Sequence, residues 1–138
     1  MPAYGRKEFT MNPEIKEEWL KRLRSGDYQQ YKGYLKYLNN SKQTCHCCLG
    51  VLVEIQIDKG GFLQPEWSEP NNEDENYTFY FNNEKSMTSM IGSSTLEWAS
   101  IDGLEIAEHL AVMNDQGFTF AEIADAIEAG VLPALDDV

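Results

Sequence analysis

The longest unbroken apolar stretch of the chain is Cys47 to Val53, with Ile55 and Ile57 just beyond it. Crossing a bilayer takes roughly 18 or more apolar residues, so this run is far too short for that. It has to be buried inside a globular core, and the rest of the chain has to fold around it. Its conformation stays open from the residues alone. As a strand, Val51, Val53, Ile55 and Ile57 alternate with Glu54, Gln56 and Asp58; as a helix, Cys48, Val51, Leu52 and Ile55 form one stripe. Period does not settle a short apolar run. Lys59-Gly60-Gly61 would serve as a helix C-cap.

Clearer signals lie on either side. Asn12-Pro13 opens a helix, because Asn accepts from the first free backbone N–H groups and Pro fits the first helical position. Glu14, Glu17 and Glu18 fall in its first turns and Lys21, Arg22 and Arg24 in its last, matching the helix dipole. Ile15, Trp19, Leu20 and Leu23 share a face, and Gly26 ends the run. Near the other end, Asp102-Gly103-Leu104-Glu105 opens a helix whose inward face is expected to be Leu104, Ala107, Leu110 and Ala111. Asn114-Asp115-Gln116-Gly117 is turn chemistry, and Thr119-Phe120-Ala121-Glu122 is a capping box. Phe120, Ile123, Ala124 and Ile127 then face the core until Gly130.

Between these helices the pattern changes. Tyrosines stand at 28, 31, 34 and 37, a spacing that suits neither a helix nor a strand; a short strand is expected over 33–38, closed by Asn39-Asn40-Ser41-Lys42. Residues 62–76 read as irregular. Tyr77 to Phe81 reads as a strand, Asn82 to Lys85 as a turn, and Ser86 to Ile91 as the partner strand of a hairpin. Residues 1–11 read as a loose arm, 12–133 as one globular domain and 134–138 as an acidic tail. The expected class is α+β, with three or four helices packed on a small antiparallel sheet.

The 138 residues suffice for one core, and the 42% hydrophobic content separates the chain from disordered sequences. The first residues carry basic charge but no apolar stretch behind it, so no secretory signal is read there. Three cysteines crowded at 45, 47 and 48 make a poor disulfide framework and fit a reducing compartment, so a cytoplasmic location is expected. The net charge of −12 is lopsided: residues 1–43 hold nine Lys and Arg against five Asp and Glu, and residues 44–138 hold two against eighteen. Such a surface repels phosphate backbones, which argues against direct nucleic-acid binding. It suits solubility, a basic protein partner, or mimicry of nucleic-acid charge. The C-terminal helix pair looks like a helix-turn-helix, but its second helix offers Glu122, Asp125 and Glu128 where a recognition helix needs Arg, Lys, Asn or Gln.

Few residues point to chemistry. Cys45 and Cys48 have the spacing of half a zinc site, yet the other half is missing, and buried thiols behaving as small hydrophobes explain the cluster more simply. His109 is expected at a surface or rim. Cys48, His46 and His109 are the residues an enzyme reading would rest on, but no triad, phosphate-cradling loop or cofactor motif can be assembled around them. The tyrosines beside Lys32 and Lys36, with Arg22 and Arg24 near, suit stacking on a nucleotide base: Tyr31, Lys32, Tyr34 and Lys36 are the ligand-binding candidates. Tyr31, Tyr34, Trp67 and Trp98 are the aromatic anchors expected of a partner interface, with the acidic Glu122, Asp125 and Glu128 beside them.

Three blocks carry a resemblance. Trp19 through Leu23-Arg24-Ser25-Gly26 to Tyr28 and Gln30, the run Cys47-Cys48-Leu49-Gly50-Val51-Leu52, and Asn114-Asp115-Gln116-Gly117-Phe118-Thr119-Phe120 with Ile123-Ala124-Asp125 together resemble a family of small bacteriophage and prophage proteins of unassigned function. The resemblance implies helix for residues 46–58 and the cytoplasm of an infected bacterium as the setting. Val53 stands where the family usually has a further cysteine, which weakens a metal or disulfide role. It implies no catalytic residues. The function expected is an accessory protein that binds and modulates a host protein, with a small-ligand binder as the alternative and an enzyme after that.

Overall fold

A computed structural model describes residues 4–39, 41–59, 66–67, 79–80 and 90–136. Asn12 caps α1 (Pro13–Arg24) as its sequence requires, its Oδ1 accepting from the Glu14 and Ile15 N–H groups at 2.9 and 3.0 Å. Ile15, Trp19 and Leu23 are the buried face. The chain then runs through β2 (Gln29–Gln30), β3 (Lys36–Leu38) and β4 (Thr44–His46) into α2 (Cys48–Lys59). The ambiguous apolar segment is thus a helix, buried almost all round, and it is the element on which α1, α3 (Ser93–Ala99) and α4 (Leu104–Asp115) pack. α5 (Phe120–Ala129) lies against α1 and α4. Its capping box is formed in both directions, Glu122 N–H to Thr119 Oγ1 at 3.1 Å and Thr119 N–H to Glu122 Oε1 at 2.9 Å.

The strands are short and peripheral. β4 lies between β2, which runs parallel to it, and β3, which runs antiparallel with Tyr37 opposite Cys45. β5 (Glu66–Trp67) pairs antiparallel with β6 (Phe79–Tyr80), so a strand arises inside a segment that reads as irregular. The turn expected at 82–85 and residues 86–89 of the strand expected over 86–91 lie outside the described residues, and Met90 and Ile91, which are described, form no strand. β1 (Lys7–Glu8) pairs antiparallel with β7 (Val131–Leu132), and Tyr4 bridges Leu135 through backbone bonds of 3.1 and 2.7 Å. The stretches expected as loose arm and tail are therefore stitched to each other where they are described, and Leu135 is buried. The class is α+β, with five helices among the described residues rather than three or four; α3, too short to show a period, is the addition.

Gly50 explains how α2 can be so deeply enclosed. A Cβ there would overlap the Leu35 carbonyl oxygen and come within 2.7 Å of its carbon, so only glycine lets the β2–β3 connection lie directly on the helix. The same carbonyl accepts from Cys47 N–H at 3.3 Å.

In α4 the inward face is rotated from the expected one: Leu104 is 47% exposed, and Ile106, His109, Leu110 and Met113 point inward. His109 is fully buried, not at a rim. Its Nε2 lies 2.6 Å from the Pro133 carbonyl, and its ring sits edge-on to Tyr4 at 5.4 Å. A histidine can occupy a core face here because the chain leaving β7 brings a backbone acceptor to its ring.

Candidate functional site

The three sequence blocks converge on one hydrogen-bonded brace. Asn114, buried at the end of α4, accepts from Cys48 N–H at 3.2 Å and Gln30 Nε2 at 2.9 Å, and its own amide nitrogen donates to the Tyr31 carbonyl at 2.7 Å. Gln30 also donates to the Phe118 carbonyl at 2.7 Å and accepts from Phe120 N–H at 3.1 Å. Trp19 Nε1 donates to the Cys48 carbonyl at 3.0 Å. Each polar atom satisfies a backbone group that would otherwise be stranded at the junction of β2, α2, α4 and α5. The blocks are therefore spent on architecture.

That architecture holds something outward. Asn114 fixes Tyr31 by its carbonyl, and Asp115 Oδ1 accepts from Gly33 N–H at 3.2 Å. The loop pinned in this way carries an aromatic stack. Tyr31 and Tyr37 stack with their rings nearly parallel, centroids 4.4 Å apart and an interplanar angle of 2°; Tyr34 stacks on Tyr37 at 5.5 Å and 13°. The odd three-residue spacing makes sense here: Tyr37 on β3 inserts between two loop tyrosines. Tyr31 is 37% exposed and Lys32 is exposed beside it. Tyr28 is not part of the stack; its hydroxyl accepts from Arg22 at 3.2 Å and its ring meets His46 edge-on at 5.1 Å.

A second cluster centres on Glu54 of α2. One carboxylate oxygen accepts from Trp67 Nε1 at 2.9 Å; the other lies 2.6 Å from His46 Nε2 and 3.3 Å from the Lys36 ammonium, which in turn sits 5.0 Å from the Trp67 ring centre. Burial by itself would raise the Glu54 carboxyl, but the hydrogen bonds from His46 and Trp67 and the charge on Lys36 overcome it and hold the group at about 2. An ionised carboxylate only accepts, so His46 Nε2 carries the proton in this contact. His46 Nδ1 is buried and meets no hydrogen-bond partner among the described residues. An imidazole aligned by a carboxylate is half of a nucleophile-activating pair, but no thiol or hydroxyl is hydrogen-bonded to it among the described residues.

The thiols do not supply the other half. Cys45 donates to the Gln43 carbonyl at 3.7 Å and Cys48 to the Leu110 carbonyl at 3.6 Å, so the two point into different surroundings. Burial pushes all three thiols up, Cys47 to about 11 and Cys48 well above the ordinary range. No group of three or more His, Cys, Asp or Glu among the described residues is placed to hold a metal ion.

The remaining candidates separate. Lys36 and Trp67, expected at a ligand site and a partner site respectively, meet each other at Glu54. Trp98 on α3 packs half-buried against the core. Glu122 closes the capping box, while Asp125 and Glu128 clamp Arg24 Nη2 at 2.7 and 2.6 Å, so that this acidic face of α5 is partly neutralised by α1. Glu54, Asn114, Asp115 and Gln30 are the organising residues that sequence reasoning missed. Asn114-Asp115 was legible as a turn, but nothing local shows that a turn residue also reaches across to Tyr31 and Cys48.

No helix among the described residues is long and apolar enough to cross a membrane. No curated protein and no solved structure matches the chain. A family model, that of the domain of unknown function DUF8296, matches residues 11–131, from the residue before the Asn12 cap to the first residue of β7. The match covers most of the chain and takes in the brace, the tyrosine stack and the Glu54 cluster, and the protein belongs to that family.

Proposed function

We propose that this protein is an accessory protein that docks a basic partner protein through its tyrosine stack. The observation that carries the reading is the stack itself: three phenol rings held at the surface on a loop pinned by Asn114 and Asp115. Such rings offer large contact area with little entropy left to lose on binding. A face of this kind favours arginine, whose guanidinium stacks on phenol rings. The net charge of −12 favours a positively charged partner and speeds its approach. The resemblance to phage and prophage proteins supplies the setting: a host bacterial protein in the cytoplasm whose nucleic-acid-binding surface is the basic target, met here by an acidic mimic. A nucleotide-signal binder is the second reading, favoured by Lys32 beside the open face of Tyr31. It is weakened because Lys36, its other expected phosphate contact, is engaged by Glu54 and Trp67.

The test compares wild type with Tyr31→Ala as baits in bacterial lysate at low and moderate salt, with reconstitution from the purified captured protein as the second step. The fold of the variant is protected, since the brace holds Tyr31 by its backbone. Affinity should fall about tenfold or more on loss of one anchor ring and fall again as salt rises. Equal affinity of both baits for the reconstituted partner refutes docking through the stack, and salt-independent binding refutes charge mimicry.

A further inference from the structure

His109 is fully buried on α4, and its two ring nitrogens meet opposite surroundings. Nε2 lies 2.6 Å from the Pro133 carbonyl, which only accepts, so Nε2 carries the proton. Nδ1 is then a bare lone pair, buried with no hydrogen-bond partner among the described residues. A lone pair tolerates that isolation, whereas a second N–H with a positive charge would find neither an acceptor nor water. No neighbouring charge relieves this. Lys7 on β1 opposes protonation of the ring, and Glu105, one turn back on α4, is exposed and paired with Lys7 at 3.8 Å. Glu108 and Asp136 are exposed. On α2, which packs on α4, Glu54 is taken up by His46, Lys36 and Trp67, and the Cys48 thiol donates to the Leu110 carbonyl. On α5, Glu122 closes the capping box while Asp125 and Glu128 hold Arg24.

The cover over the ring is thin. Tyr4 meets it edge-on at 5.4 Å, and Tyr4 is itself held by two backbone bonds to Leu135, of 3.1 and 2.7 Å. The rest of the clasp is the two residue pairs of β1 and β7 and the bond from Phe9 N–H to the Gly130 carbonyl at 3.0 Å. The helices beneath do not depend on it, because the Asn114–Gln30 brace and the packing of α1, α4 and α5 tie them together directly. Few bonds on one side and a braced core on the other are the conditions for local opening without global unfolding. We propose that His109 is a proton-operated latch: the neutral ring keeps residues 4–9 and 130–135 closed over α4, and the protonated ring releases them to reach water while the helices stay folded. Burial pushes the imidazole below its ordinary 6.5, the Pro133 carbonyl acts the other way, and Lys7 adds to the fall. The closed clasp is therefore favoured above that value and weakened as pH drops below it. The latch does not require the tyrosine stack to have a partner.

The experiment is hydrogen–deuterium exchange of the full chain at pH 7.5 and 5.5, corrected for the intrinsic pH dependence of amide exchange. In the open state the imidazole returns to its ordinary value, one unit above the lower pH, so linkage allows at most about a tenfold gain in opening. Peptides carrying the Tyr4, Phe9 and Leu135 amides should lose protection several-fold towards that limit, while those of α2 and α5 keep theirs. His109→Gln, whose side-chain amide can donate to Pro133 but does not titrate, should abolish the pH response of the clasp. In the wild-type chain the imidazole resonances follow the same event without a mutation: the His109 midpoint should fall below 6.5 and coincide with the loss of clasp protection. Clasp protection that stays constant while His109 titrates overturns the latch. So does a pH response that survives His109→Gln, or a loss of protection that is equal in α2 and α5.

Discussion

Replacing Glu54 by Gln tests the Glu54 cluster quantitatively. The carboxyl sits at about 2 in the folded chain against an ordinary value of 4.5. A folded-state value below the unfolded one means that the unfolded chain binds the proton more readily between the two. The stabilisation is therefore complete above pH 4.5 and is lost as pH falls towards 2. The difference corresponds to about 3 kcal/mol at neutral pH, at roughly 1.4 kcal/mol per pH unit, and the side chain is enclosed enough to keep most of it. Gln has the same shape but only one carbonyl oxygen. One of its two ends must turn an amide N–H₂ toward Trp67 Nε1 or toward His46 and Lys36, all donors. That mismatch adds about 1 kcal/mol that does not depend on pH. Urea unfolding monitored by tryptophan fluorescence at pH 7, 5, 3.5 and 2.5 should thus show Glu54→Gln less stable by about 3–4 kcal/mol at pH 7 and by about 2 kcal/mol at the lowest pH, where part of the charge contribution remains. A gap below about 0.5 kcal/mol at pH 7, the size of an ordinary surface substitution, would refute the network as a source of stability. A gap of constant size across the series would refute the charge argument.

Two further predictions concern the core. Gly50→Ala in an exposed helix would stabilise by about 1 kcal/mol, whereas here it should destabilise by about 3 kcal/mol or more, because the methyl group meets the Leu35 carbonyl; circular dichroism melting decides the sign. His109 is held below its ordinary value by burial, with the Pro133 carbonyl working in the opposite direction. The unfolded chain is then the better proton acceptor once pH drops below about 6.5, so stability present above that value should be lost on acidification from pH 7.5 to 5. His109→Gln, which can still donate to Pro133, should flatten the melting temperature over that window. An unchanged slope would place the loss elsewhere.

The sequence by itself determined the elements whose signals are local. Asn12-Pro13 and the Thr119–Glu122 box set where α1 and α5 begin, because a cap needs only the backbone N–H groups within three residues of it. The apolar run at 47–53 had to be central, and it is. The tyrosine spacing was visible as an anomaly, and so was the scarcity of assembled chemistry around the cysteines and histidines. Tertiary structure decided everything that depends on a partner distant in sequence. Whether 46–58 was helix or strand turned on Gly50 meeting Leu35 and on three helices packing around it, which no period in a short apolar run can encode. The burial of His109 turned on the Pro133 carbonyl, and the joining of residues 4–8 to 131–135 on β1 finding β7. Lys36 and Trp67 became one cluster only because Glu54 lies between them, and Tyr31, Tyr34 and Tyr37 became one surface only because Asn114 and Asp115 hold the loop from more than 80 residues away. Capping and amphipathicity act within a few residues and can be read along the chain; satisfying a buried polar atom depends on the fold as a whole.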